Sequence, residues 1–354
     1  MTSLPPAVAS ERFEWADAAR GLSVTLIVVM HLWAIHLTFW VADAAIMRVI
    51  ADVVEWTTPL RIPLFFFVSG FLASRSLRKP WRDAWRGRVF GVVYLYVLWV
   101  GFSVAFLWIE NYANGQPTGN PVVAFATNLI APGTHLWYLW ALIVMFLAVW
   151  ATKAVPGWIV LAAAAAISVF APFFLDHPYT QVGSAVVFYV VGARFPAITA
   201  WMTSPRRMWI FAGAAAVYTV SMLLGPTGPY GFSDPFTSAV GVVAMVAILA
   251  AVSNQRWTGA LKVVGRNTLP IFILNPFVFI LLNDLLVRNA DLAAWLAASP
   301  RGAAVYTAAI IVATLAISIG IKVGADRIGM RWLFAMPQRW FRRPVAVALP
   351  ATTR

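Results

Sequence analysis

Long apolar runs separated by short polar breaks dominate the chain. A helix needs about 20 apolar residues to cross a hydrocarbon core of about 30 Å. On that measure the runs predict ten spans, near 20–40, 58–74, 89–109, 136–152, 155–173, 180–195, 207–224, 236–252, 268–287 and 304–323. The breaks carry turn chemistry: Asn114-Gly115-Gln116-Pro117, Pro156-Gly157, His177-Pro178, Ser204-Pro205 and Gly225-Pro226. The fifth and sixth spans are the least sharply bounded, because the Ala162–Ala166 run has no clear edge. No internal repeat stands out. The pattern predicts an all-α polytopic membrane protein with a cytoplasmic segment at 1–19, a membrane domain of about ten helices at 20–323, and a basic cytoplasmic tail at 324–354.

Composition agrees. The 354 residues are 61% hydrophobic and 11% charged, against roughly 25% charged in soluble domains. No polar stretch is long enough for a second domain. The absence of cysteine excludes disulfides, thiol nucleophiles and Cys-ligated metals, and no metal site is suggested. A net charge of +13 raises nucleic acid as a partner, but in a membrane protein cations mark cytoplasmic loops instead. With both termini in the cytoplasm, 22 of the 26 Lys and Arg residues fall inside, leaving Arg48, Arg61, Arg288 and Arg301 outside. The polar, partly acidic start does not read as a cleaved signal peptide. The tail, with Arg339, Arg342 and Arg343 beside Trp340 and Phe341, reads as an inner-leaflet anchor.

Ionisable residues inside a bilayer are costly, so each is a candidate for function. The first span opens Asp17-Ala-Ala-Arg20-Gly21, and His31 follows eleven residues after Arg20. At 1.5 Å per residue, His31 lies about 16 Å beyond Arg20, near the middle of the membrane. It suits a general base acting on a hydroxyl, or a structural histidine bonded between helices. Asp17 and Arg20, three apart, can pair on one face. His36 lies roughly 140° around an ideal helix from His31, so it is expected to face elsewhere in a structural role.

Between the second and third spans run Arg75, Arg78, Lys79, Arg82, Arg86 and Arg88, interleaved with Trp81 and Trp85. Guanidiniums grip phosphates through paired charge-assisted bonds. The run therefore suits a phosphate-rich cytoplasmic ligand such as coenzyme A, or else a positive-inside anchor with interfacial tryptophans. Pro132-Gly133-Thr134-His135-Leu136-Trp137-Tyr138 opens the fourth span at the outer side. It reads either as an aromatic belt or as a site where His135 meets a sugar hydroxyl. No Gly-x-Ser-x-Gly elbow, His-Glu-x-x-His or Walker loop is present, which argues against a serine hydrolase, a zinc protease and an ATPase.

Four motifs in this order resemble acyltransferase family 3, membrane proteins that acylate envelope glycans and related molecules. They are Asp17-x-x-Arg20-Gly21 with His31, Pro63-Leu-Phe-Phe-Phe-Val-Ser-Gly70-Phe-Leu, His135-Leu-Trp-Tyr-Leu, and Gly265-Arg-Asn-Thr-Leu-Pro270-Ile-Phe-Ile-Leu. The resemblance implies an acetyl group, or another acyl group, taken from a cytoplasmic acyl-CoA and passed to a hydroxyl of a glycan or glycolipid. It implies no permanently bound cofactor, with acetyl-CoA as donor substrate, the bilayer as surroundings and the cell inner membrane as location. His31 becomes the base or a transient acyl carrier. Arg20 orients the donor, with Asp17 fixing Arg20. Arg86 and Arg88, with Arg78 and Arg82 nearby, grip the donor's phosphates, while His135, Trp137 and Tyr138 meet the acceptor.

Two positions depart from the family pattern. An Arg-x-x-Arg pair often leads into the third span, whereas Arg88 is followed three residues later by Gly91. Many relatives carry a histidine after the fourth motif, where this chain has Asn275-Pro276. The rival readings are a transporter or flippase with His31 as proton relay, and a structural membrane subunit. Neither accounts for the dense arginine run.

Overall fold

The computed structural model describes residues 13–40, 45–204, 208–225, 235–298 and 300–337, all helix, turn or coil with no strand among them. The tail residues Arg339, Arg342 and Arg343, and the pair Arg206 and Arg207 expected on the cytoplasmic side, lie outside the described residues. Helix α1 (Glu14–Leu32) continues through a π-helical turn, Trp33–Leu37, into the short α2 (Thr38–Trp40). Then come the long α3 (Ala45–Leu77), α4 (Trp81–Ala84), a second π-helical turn at Trp85–Phe90, and α5 (Gly91–Ala113). Next are α6 (Pro121–Ile130), α7 (Trp137–Ala151), α8 (Gly157–Phe174), α9 (Tyr179–Arg194) and α10 (Pro196–Met202). The remaining helices are α11 (Met208–Leu223), α12 (Pro235–Val252), α13 (Thr258–Arg266), α14 (Thr268–Val287), α15 (Ala290–Ala298) and α16 (Pro300–Arg327).

Each of the ten expected spans coincides with a helix. Length divides them. Seven are long and apolar enough to cross a membrane, and α9 with α10, bent by 92° at their junction, makes an eighth if the pair is one span. The chain is a multi-pass all-α membrane protein. Helices α7 and α11 have 15 and 16 residues, or about 22–24 Å at 1.5 Å per residue, short of a full crossing. Ahead of α7 the chain already turns in, with Pro132 and Leu136 buried while Ala131 and Gly133 stay exposed. Trp137, Tyr138 and Leu139 are all buried. Asn120 caps α6 just before this inward fold by accepting from Val122 N at 2.9 Å and Val123 N at 3.3 Å, with Pro121 at the first helical position.

Helix α1 is the hub, packed against α3, α12, α13, α14 and α16. In a bilayer apolar side chains gain little by leaving lipid for each other, so helices associate where small residues let backbones close in. Two such contacts hold this bundle. A Cβ on Gly21 would come within 1.9 Å of the Leu261 carbonyl oxygen, and one on Gly265 within 1.8 Å of the Asp17 carbonyl oxygen. Helices α3 and α9 meet in the same way, with Gly70 against the Tyr189 carbonyl and Gly192 against that of Phe67. The glycines of three of the four sequence motifs are therefore contact points between helices.

Replacing Gly265 by Leu forces α13 off α1. Monodisperse protein in detergent should fall at least severalfold relative to wild type. Gly213→Ala, at a glycine with open space around it, should leave the yield unchanged, and equal yields for both variants would refute the contact's importance.

Candidate active site

The glycine contact between α1 and α13 also brings the first turns of α14 against α1. Arg20 Nη2 donates to the Thr268 hydroxyl at 2.5 Å. Asp17, on the preceding turn of α1, accepts from Arg266 Nε at 3.0 Å and also acts electrostatically on Arg20. The carboxylate is thus shared between a motif partner three residues away and one 249 residues away. Glu14 takes Lys262 Nζ at 2.9 Å, a second tie between α1 and α13.

Arg88 sits in the π-helical turn before α5. It reaches back to the end of α3, donating from Nη2 to the Leu72 carbonyl at 2.5 Å and from Nε to Ser76 Oγ at 3.1 Å. Arg20 and Arg88 then line one cavity of about 200 Å³, with Ser69, Tyr138, Tyr189 and Thr268 as further polar groups and Phe65 and Phe272 among its apolar walls. The Tyr138 hydroxyl is buried, lies within the field of Arg20 and has no hydrogen-bond partner among the described residues. An unmet buried donor costs about 1–3 kcal/mol, which a ligand in the cavity would offset. Two guanidiniums and an idle hydroxyl around one hollow make it the candidate site for an anion.

His31 stands on the far side of Phe272 from this cavity. The Phe272 ring packs on Tyr138 at 3.6 Å between centroids and meets His31 edge-on at 6.3 Å. His31 Nδ1 bonds Asn275 Oδ1 at 2.7 Å, so the residue in the place of the family's usual histidine is the direct partner of His31. His135 donates from Nε2 to the Ile273 carbonyl at 3.1 Å. Ile273 lies about 8 Å along α14 from Thr268, so His135 belongs to the interior of the bundle beside His31 rather than to an outer rim.

The other expected positions separate. Trp137 is buried against Phe66 and His177, away from the cavity lining. Arg78 is exposed on the turn after α3 and does not line the cavity. The side chains of Arg82 and Arg86 lie outside the described residues. His36 departs from expectation. The π-helical turn replaces α-helical bonding with i→i+5 bonding, which brings residues five apart toward one face. His36 therefore faces α14 as His31 does, with Nδ1 on Asn283 Oδ1 at 2.5 Å and Nε2 on Tyr306 Oη at 2.7 Å.

Sequence reasoning passed over Thr268, Tyr189 and Ser69, and noted Asn275 only as a departure. A polar side chain beside a proline in an apolar span was the available signal for Asn275. Arg61 was placed among four outer cations, yet it is buried within α3. It donates from Nη1 to the Val54 carbonyl at 2.8 Å and to Thr58 Oγ1 at 2.9 Å, and its Nε has no partner among the described residues.

Comparison with known proteins decides the class. A family model described as an acyltransferase domain, that of acyltransferase family 3, matches residues 13–323. The chain belongs to acyltransferase family 3. The acyltransferase is 24% identical over 322 residues to the inner membrane protein YcfT of Escherichia coli (strain K12), covering 79% of this chain and 84% of that one. No solved structure matches it. Every residue of the cavity and all three histidines bonded to α14 fall within the matched stretch.

Removing the acyltransferase's two cavity cations in Arg20→Ala/Arg88→Ala should weaken coenzyme A binding at least 10-fold, because each charged hydrogen bond is worth about 1.5–3 kcal/mol. Arg78→Ala should bind like wild type. Equal affinity for all three proteins, measured by calorimetry in detergent, would move the anion site elsewhere.

Proposed function

We propose that this membrane acyltransferase takes an acyl group, acetyl in the simplest case, from cytoplasmic acyl-CoA and passes it to a hydroxyl of an envelope glycan or glycolipid. The observation that carries the reading is the succession along α14: Thr268 with the two arginines, then Phe272, then Asn275 with His31. The arginines that would hold a charged donor head and the ring that would accept a proton are thereby set along one helix. The cavity, at about 200 Å³, is below the 300–1,000 Å³ of pockets that enclose whole drug-sized ligands. It suits a phosphate of the donor held between Arg20 and Arg88, with the acyl-pantetheine arm directed toward Phe272 and His31.

The step balances without a cofactor. His31 accepts the proton of the acceptor hydroxyl as its oxygen bonds the thioester carbonyl carbon. The C–S bond then breaks, and coenzyme A leaves as a thiol, taking that proton back. Tyr138, free to donate and lying on the cavity side of Phe272, suits the developing oxyanion or the donor's carbonyl, a role on the donor side instead of the acceptor side. His135, tied to Ile273, shapes the acceptor side next to His31. The name of the Escherichia coli relative supports an inner-membrane location.

His31→Gln tests the reading. Loss of a general base costs typically 10²–10⁴-fold, so transfer of labelled acetyl from acetyl-CoA by membranes should fall at least 100-fold, while the variant elutes from gel filtration like wild type. Full transfer by this variant would take His31 out of the reaction.

A further inference from the structure

The Asn275-Pro276 pair determines which ring nitrogen of His31 reacts. Proline has no N–H to give to the carbonyl four residues before it, so within α14 the Phe272 carbonyl loses its helical donor at Pro276. The Asn275 side chain takes over that carbonyl. Its Nδ2 donates to Phe272 O at 2.9 Å and to Ile271 O at 2.9 Å. Both N–H groups of the amide are then used on helix carbonyls, and Asn275 is fully buried. Turning the amide over would set its oxygen against two carbonyl oxygens, so only Oδ1 can face His31. An acceptor 2.7 Å from Nδ1 requires the proton to be on Nδ1.

We infer that Asn275, locked by Pro276, is a positioning residue that holds neutral His31 as the Nδ1–H tautomer and leaves the Nε2 lone pair as the reacting base. His36 supplies an internal comparison. Asn283 Nδ2 is engaged by the Ile35 carbonyl at 2.9 Å, its Oδ1 faces His36 Nδ1, and the Tyr306 hydroxyl occupies Nε2 at 2.7 Å. The same amide device thus serves two histidines of one helix. In His36 the second nitrogen is occupied, and in His31 it makes no hydrogen bond among the described residues. The first is a latch, the second a base.

The inference rests on the proposed role of His31, but the tautomer is read without turnover, so the two fail separately. The experiment is ¹⁵N NMR of the full-length protein labelled at its four histidines, with the His31 signals identified by their loss in His31→Gln. Wild type should show a protonated Nδ1 and an unprotonated Nε2 for His31. Asn275→Leu should lose that pattern, with kcat for acetyl transfer falling about 100-fold, in the range for a base, and KM for acetyl-CoA changing less than threefold. Asn275→Asp keeps an oxygen facing Nδ1 but sets its other oxygen against the Ile271 and Phe272 carbonyls, so it should retain the protonated Nδ1 and recover only part of kcat. A wild-type His31 protonated on Nε2 would overturn the inference whatever the variants do. So would an Asn275→Leu protein with wild-type tautomer and kcat. If Asn275→Leu does not fold, the wild-type spectrum and Asn275→Asp decide alone.

Discussion

Two helix backbones touch where Gly21 meets Leu261 and Gly265 meets Asp17, and the site is assembled outward from that contact. No side chain at either glycine would leave room for it. With α1 and α13 in register there, the chain turns at Asn267 into α14, which then runs beside α1. Arg20 meets Thr268, and eleven residues further along α1 His31 meets Asn275. The Gly70 and Gly192 contact fixes α3 on α9 in the same manner, which places Ser69 and Tyr189 on the cavity wall. In lipid, where burying apolar surface gains little, close backbone packing of this kind is the available means of specifying one arrangement.

Charge sets a second constraint on the arrangement. A guanidinium away from water is expensive unless something offsets it. Arg88 spends two donors on α3, and Arg20 one on Thr268. The carboxylate beside Arg20, Asp17, is bonded to Arg266 as well. The cavity therefore keeps a positive character that an anionic ligand would neutralise, in line with the arginine's preference for phosphate geometry. Arg61, whose Nε has no partner among the described residues, adds a further buried cation to the bundle.

The two π-helical turns stand beside the two halves of the candidate site. One follows His31 directly and turns His36 toward α14, and the other carries Arg88 into the cavity. A widened turn re-aims the side chains after it without breaking the helix, and such turns are common at functional sites. Phe272 lies between the cavity and His31 and gives both an apolar neighbour.

The all-α membrane class, the helices at all ten apolar runs, and the family were legible in the chain itself, because lipid demands long apolar helices and the motifs recur in order. Arg20 and His31 stood out as ionisable residues in an apolar run and Arg88 as one of a basic cluster, and the packed helices set Arg20 and Arg88 on one candidate cavity with His31 beyond Phe272. Three things needed the tertiary structure. Asp17 pairs with Arg266 across 249 positions, a contact made by helix packing and invisible to local spacing. His36 faces α14 because of a π-helical turn, whereas ideal α-helical geometry sends it elsewhere. Asn275 reads in the sequence as a missing histidine, and only the lateral position of α14 against α1 makes it the partner of His31. Hydrophobic pattern fixes which segments are helices; which faces meet is decided by glycine contacts and bent turns whose effect on side-chain direction appears only once the helices are packed.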